Sequence, residues 1–345
     1  MATIPEDVTR PDVPRWRLGE HPWLEGAPPA PSAVRVIIDN DFAGDPDDLF
    51  QLVHHVLSPA VDIALVVSSR LRMEDGVSTT SAADGARVAE DVFGRMGLES
   101  TDRVVAGAEV PLPDRNTPCP SPAVDRIIAE ALRDDPRPLF YAAGGGLTDL
   151  ASAYLLQPEI ADRLVLVWIG GFEHEPVPWL GEPALVSEEY NLSIDVCAAQ
   201  VLFDAPGLEV WQVPRSTYRT CVLSDAEMRV RVRAAGPLGR HLDDEVRAEM
   251  LRHATAGRPP SEVYVLGDSP LVLLTALRSY WEDDATSCEY VRRSKPSLTP
   301  EGRYVGSRER TLMRVYTRVD ARTMNEDFHA KLALFEAWHS NHAGT

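Results

Sequence analysis

The sequence predicts an α/β fold: an open, mostly parallel sheet flanked by helices, with a helical region appended to it. Three observations carry this. Between residues 34 and 213, short β-branched runs alternate with stretches whose apolar residues recur at helical spacing, the pattern of a parallel sheet covered on both faces. The chain has 345 residues and 44% apolar content, enough for a full core. No internal repeat or long flexible linker divides it, so residues 33–345 read as one domain behind an extended arm, residues 1–32.

The arm is rich in proline and carries Trp16 and Trp23, which suit a segment laid over the surface and anchored by its two indoles. Strands are expected over residues 34–38, 62–68, 103–106, 139–142, 164–169 and 209–213. Helices are expected between them, over 47–57, 81–96, 123–133 and 147–156, where apolar residues fall on one face. Segment 172–190 exceeds the usual length of a connection, and such loops often carry function. Beyond residue 213 the pattern is helical over 225–254 and 270–280. Strands follow near Tyr290 and over 311–316, and a last helix over 325–338 closes the fold.

The net charge of −19 argues against general nucleic-acid or anionic-membrane binding, since both need a basic surface. A small neutral or cationic ligand fits better. No apolar stretch approaches the roughly 18 residues that span a bilayer, and the first residues, Met1 to Glu6, lack the basic start and apolar centre of a signal peptide. The cytoplasm is therefore the default compartment. Cys119, Cys197, Cys221 and Cys288 are dispersed without a CxxC pair, which points to neither a zinc site nor a disulfide framework.

The chemistry gathers behind the first strand. Its apolar run leads into Asp39-Asn40-Asp41, with Asp47-Asp48 following within seven residues. Ionised carboxylates are costly to bury together unless a cation or protons intervene, and a hard ion such as Ca2+ or Mg2+ prefers oxygen ligands. The competing reading is a solvated turn that caps a helix. Three later segments can reach the same sheet edge, where ligands bind in open α/β folds. Gly144-Gly145-Gly146 lies between a strand and a helix, without the lysine of a phosphate loop; it offers either a backbone oxygen ligand or simply a tight turn. Glu189 and Asn191 present two acceptors and a donor, a set suited to sugar hydroxyls, while Asp195 reads better as a helix cap. Asp268, in Gly267-Asp268-Ser269-Pro270, either caps a helix or adds a carboxylate to the cation.

Taken in order, these segments resemble the nucleoside hydrolases that act on inosine, uridine and related ribonucleosides. That family runs its first strand into DxDPGxDD, and then has TGGLTN, EFN and a late HD; here the counterparts are DNDFAGDPDD (39–48), GGGLTD (144–149), EYN (189–191) and GDSP (267–270). The resemblance covers about residues 34–340 and implies a Rossmann-like core, one Ca2+ at the bottom of the pocket, and hydrolysis of an N-glycosidic bond. It implies that Asp41 ligates the ion and takes a proton from the attacking water. Asp48, Asp268 and the Gly144 carbonyl would be the other protein ligands. Asp47 would hold the ribose hydroxyls, Glu189 and Asn191 other sugar oxygens, and Asp39 would orient the ligands from behind. Relatives that form dimers or tetramers imply a homo-oligomer.

The chain departs from the family pattern in three places. Two extra residues separate Asp41 from Asp47-Asp48 and bring Asp45 near the ion. Gly267 stands where the family has a histidine that protonates a purine leaving group, and the asparagine after the second strand has no counterpart in residues 68–72. His174 and His241 are candidate replacements for the histidine, against the reading that each is simply exposed to solvent. Trp179, Tyr190 and Tyr218 are candidates to face the base, against packing roles. Two rivals accompany this reading. One is a non-catalytic or weakly catalytic ribose- or ADP-ribose-binding protein, motivated by the missing histidine. The other is a haloacid-dehalogenase-type phosphatase, to which DNDFA is also similar, but which needs a lysine after a core strand; the only lysines are Lys295 and Lys331.

Overall fold

The computed structural model describes residues 13–24, 32–76, 78–99, 102–174, 188–279, 281, 286–306 and 311–342. Its first half alternates strands and helices: β1 (Val34–Asn40), α1 (Asp47–Val56), β2 (Val61–Ser68), α2 (Ser81–Arg95), β3 (Val104–Ala106) and α3 (Pro122–Ala131). There follow β4 (Leu139–Ala143), α4 (Thr148–Leu156), β5 (Val165–Ile169), the short α5 (Tyr190–Ile194), α6 (Val196–Phe203) and β6 (Glu209–Val213). The expected α/β architecture is present, with each of the six expected strands in place.

β1 runs two residues further than its apolar stretch, through Asp39 and Asn40. Their peptides continue the ladder: the amide of Gly144 donates to the Asp39 carbonyl, and that of Ser69 to the Asn40 carbonyl, each at 2.9 Å. Two polar side chains are thereby carried into the interior. The second half holds α7 (Arg215–Tyr218), β7 (Val222–Ser224), α8 (Asp225–Glu227), α9 (Gly236–Thr255), β8 (Val263–Val265) and α10 (Pro270–Thr275). β9 (Glu289–Ser294), β10 (Ser297–Leu298), β11 (Tyr304–Val305), β12 (Leu312–Arg318) and α11 (Ala321–His342) complete it.

The continuous helix expected over 225–254 is broken. A π-helical turn, Met228–Arg233, follows α8, and α9 begins anew at Gly236. Pro237 is the cause, since proline lacks an amide hydrogen and clashes with the preceding turn unless it opens a helix. Gly236 makes the reversal at φ +69°, where a side chain would also strike the Glu336 carboxylate. α10 ends at Thr275, five residues before the expected boundary.

Among the described residues, eight strands form one sheet in the order β3-β2-β1-β4-β5-β6-β12-β9, parallel except for β9. β1 is buried along its whole length. Its Val34, Val36 and Ile38 join α1 and α2 in a core on one face, while Ile37 joins α3, α4 and α6 on the other. The arm's Trp16 and Trp23 are buried in the first of these cores. Their rings meet edge to face at 4.7 Å, and Trp23 packs edge-on against Phe335 of α11.

The chain leaves β1 toward the face of α1 and leaves β4 toward the face of α4. These two strands are neighbours, with Asp39 opposite Ala143, so the strand order reverses between them. A crevice opens at the carboxyl ends of strands at such a point. The acidic turn and the glycine run meet there.

Candidate functional site

Five carboxylates converge on this crevice from three elements. Asp39 and Asp41 come from the end of β1, Asp47 and Asp48 from the first turn of α1, and Asp268 from the turn before α10. Asp47, Asp48 and Asp268 each place a carboxylate oxygen within 4.8 Å of the others, a group able to hold a metal ion. Asp41 is buried beside this triad, within electrostatic reach of Asp268.

Burial pushes all five carboxyls above their ordinary range, and neighbouring negative charges push them further. For Asp41, Asp47 and Asp48 the shift is large, with burial first and the charge of Asp268 among the causes. Burial and the charge of Asp149 raise Asp39 to about 8 against the hydrogen bond from Tyr141, while burial carries Asp268 to about 6. The Tyr141 hydroxyl donates to Oδ2 of Asp39 at 2.5 Å. Among the described residues, Oδ1 of Asp39, Oδ1 of Asn40 and Oδ2 of Asp48 are buried without a hydrogen-bond partner. An acceptor without a donor is costly in the interior, and a cation satisfies several at once. The donor set is made entirely of oxygen, which suits a hard divalent ion.

Gly144 is held at this floor. Its carbonyl accepts from the amide of Asn191 at 2.6 Å. A Cβ at residue 144 would fall 2.1 Å from Oδ1 of Asn40 and 2.3 Å from Oδ2 of Asp268, so only glycine fits.

The sugar-binding candidates are more constrained than the sequence suggests. Asn191 spends its second amide hydrogen on the Ile169 carbonyl at 2.8 Å, so it has an acceptor to offer a ligand and no donor. Glu189 caps α5: its Oε2 accepts from the amides of Gly171 and Leu192, while Oε1 accepts from the Tyr218 hydroxyl at 3.0 Å. Asp195 caps α6 through Ala198 and also accepts from Leu112 and Thr148.

The remaining candidates divide. Asp45 is exposed and lies within electrostatic reach of Glu249, Arg252 and His253 on one side and of Asp41, Asp47 and Asp268 on the other. Neither His174 nor His241 is the exposed histidine that the simpler reading expects; both are half-buried. His174 bonds Gln212 at 2.7 Å and stacks on Tyr304, and His241 faces Glu245 on α9 itself. Residue 267 itself borders Asp47 and Tyr218: a Cβ there would lie 3.2 Å from Oδ2 of Asp47 and 3.4 Å from the Tyr218 ring. Tyr190 is exposed and stacks under Arg72, while Trp179 lies outside the described residues.

Sequence reasoning missed two residues. Asn40 bonds Asp268, and Asp149, at the end of GGGLTD, is buried and ties the amide of Ala108 and the hydroxyl of Ser121 to α4. The available signal for Asn40 was its place between Asp39 and Asp41, directly behind an apolar strand.

The model of the family described as "Inosine-uridine preferring nucleoside hydrolase" matches residues 36–326. The chain belongs to this family. Its members are hydrolases acting on N-glycosyl bonds. The inosine-uridine preferring nucleoside hydrolase of Crithidia fasciculata is 37% identical over 92 residues, an alignment spanning 26% of each chain. The purine-preferring ribonucleoside hydrolase from Gardnerella vaginalis shares the fold, with a TM-score of 0.65 and 21% identity over 88% of this chain and 99% of that one. An inosine-uridine preferring nucleoside hydrolase from Bacillus anthracis superposes with a TM-score of 0.62 at 16% identity, covering 87% of this chain and 99% of its own. Among the described residues, no helix is long and apolar enough to cross a membrane.

Proposed function

We propose that this protein hydrolyses the N-glycosidic bond of a ribonucleoside or related N-riboside with the help of Ca2+, releasing base and ribose. The observation that carries the reading is the acidic cluster itself. Asp47, Asp48 and Asp268 converge beside Asp41 at the β1/β4 crevice, among buried oxygens that no donor satisfies, in a chain of the nucleoside hydrolase family.

Asp41, Asp48, Asp268 and the Gly144 carbonyl would hold the ion. When bound, it supplies Lewis-acid polarisation that lowers the pKa of the attacking water. Asp41 accepts that water's proton as general base. Asp47, at the first turn of α1, accepts from ribose hydroxyls. Asn191 presents its carbonyl oxygen to the sugar, and Glu189 the remaining lone pair of Oε1. These acceptors face a sugar that gains positive charge as the glycosidic bond breaks, and so favour the transition state over the ground state. Asp39, bonded to Tyr141 through its side chain and to Gly144 through its backbone, holds the floor in register.

The ligand in this reading is a small nucleoside-like molecule, the compartment the cytoplasm and the assembly a dimer or tetramer. The phosphatase alternative gains nothing, because both lysines are engaged elsewhere: Lys295 donates to the carbonyls of Ala205 and Leu208, and Lys331 pairs with Asp327. The test is release of reducing sugar from a nucleoside panel with and without chelator. Chelator-sensitive release supports the proposal; phosphate release, or binding without turnover, contradicts it.

A further inference from the structure

Asn40 has no part in the reaction as described, yet it sits at the centre of a closed polar circuit. It is fully buried, and its Nδ2 donates to Oδ2 of Asp268 at 3.0 Å and to Oε1 of Gln51 at 3.1 Å. Gln51, on α1, donates in turn to Nδ1 of His55, one helical turn along the same face. That bond fixes the neutral ring with its hydrogen on Nε2, which donates to the Thr275 hydroxyl at 2.8 Å. Thr275 passes its own hydrogen to the Leu271 carbonyl at 2.7 Å. α10, which carries Thr275, begins two residues after Asp268, so the circuit returns to its start through the chain itself.

Each bond in the circuit has one workable direction. If the Asn40 amide were flipped, its oxygen would face both the Gln51 oxygen and the Asp268 carboxylate. Oδ1 of Asn40 must therefore point the other way, toward Gly144, where it is buried and meets no donor. Burial lowers the pKa of His55 well below its ordinary value, in keeping with the neutral ring the circuit needs. A carboxylate beside an ion can rotate and change the oxygen it presents. Asp268 cannot do so while one oxygen is held by an amide whose own orientation is locked.

We propose that Asn40 is a positioning residue of the cation site, fixing the rotation of the Asp268 carboxylate through an N–H that the Gln51–His55–Thr275 circuit holds in place. The inference rests on the cation reading above. Partners of this kind, when removed, typically cost about 10- to 100-fold in metal affinity.

The test is calorimetric titration of Ca2+ into the ion-stripped full chain, with near-ultraviolet circular dichroism as the check on folding. Asn40→Leu keeps the size and removes the donor; affinity is expected to fall at least about tenfold. At the far end of the circuit, Thr275→Val removes only the hydroxyl and is expected to weaken binding severalfold, whereas Thr275→Ser restores it. A merely structural role would not separate valine from serine in the ion titration. Wild-type affinity in folded Asn40→Leu overturns the inference; if that variant does not fold, wild-type affinity in Thr275→Val overturns it. If the unmodified protein binds no divalent cation, the cation reading itself falls and this inference falls with it.

Discussion

Asp48 is the residue on which the cation assignment can be tested with least disturbance elsewhere. It is buried at the start of α1, and one of its oxygens faces no donor. Asp48→Ala should lower Ca2+ affinity by at least about tenfold without loss of folding, because it removes both a ligand and a source of repulsion. An unchanged titration would place the ion elsewhere. Asp39 gives a pH signature. Its carboxyl titrates near 8 in the folded chain against 3.8 for the free group, so between those values the folded state keeps a proton that the unfolded state has lost. Stability of the ion-free protein should therefore fall as pH rises through that window, measured as a lower melting temperature at pH 8 than at pH 5.5, with Ca2+ recovering more of it at the higher pH. A melting temperature that rises over this range would contradict the assignment. At this scale the sequence shows which residue types gather but not how each is spent. Asn191 reads as donor and acceptor, yet its hydrogens go to the carbonyls of Gly144 and Ile169; Asn40 reads as a spacer between two aspartates, yet it grips Asp268. Hydrogen-bond direction depends on partners 11 to 228 positions away, which no local pattern records.

The elements were legible where their apolar pattern is long and became obscure where a turn interrupts it. β6 falls at its expected bounds, and α1, α2 and α4 lie within a residue of theirs. The break before α9 was written in Gly236-Pro237, but the helical periodicity on either side masks it. β7 and β8, three residues each, are too short to show an alternation. Two predictions belong here. Ser121 accepts from the amide of Val124 at the start of α3 and donates to Asp149, so Ser121→Ala should cost about 1 kcal/mol or more in chemical denaturation. Trp23 joins the arm to α11, and its truncation to alanine should cost about 3–5 kcal/mol, with cation affinity unchanged. A wild-type melting temperature in that variant would show that the arm is a passenger.

The whole molecule makes one statement that no single element does: the order of its strands reverses between β1 and β4, and an acidic turn and a glycine run meet at that reversal. The succession of strands and helices made the parallel sheet predictable from sequence, and the order of the short motifs pointed to the family. The rim was not legible, because Tyr218, whose ring lies beside residue 267, arrives from after β6. The central claim is that this crevice uses a divalent cation to hydrolyse N-ribosides. The most direct measurement is the rate of ribose release from inosine, uridine and other ribonucleosides by the purified full chain, compared with Asp41→Ala and with chelator. Turnover of at least one ribonucleoside is expected, lost on chelation, recovered with Ca2+, and reduced by at least about 100-fold in Asp41→Ala. Turnover that survives both chelation and the loss of Asp41 would contradict it.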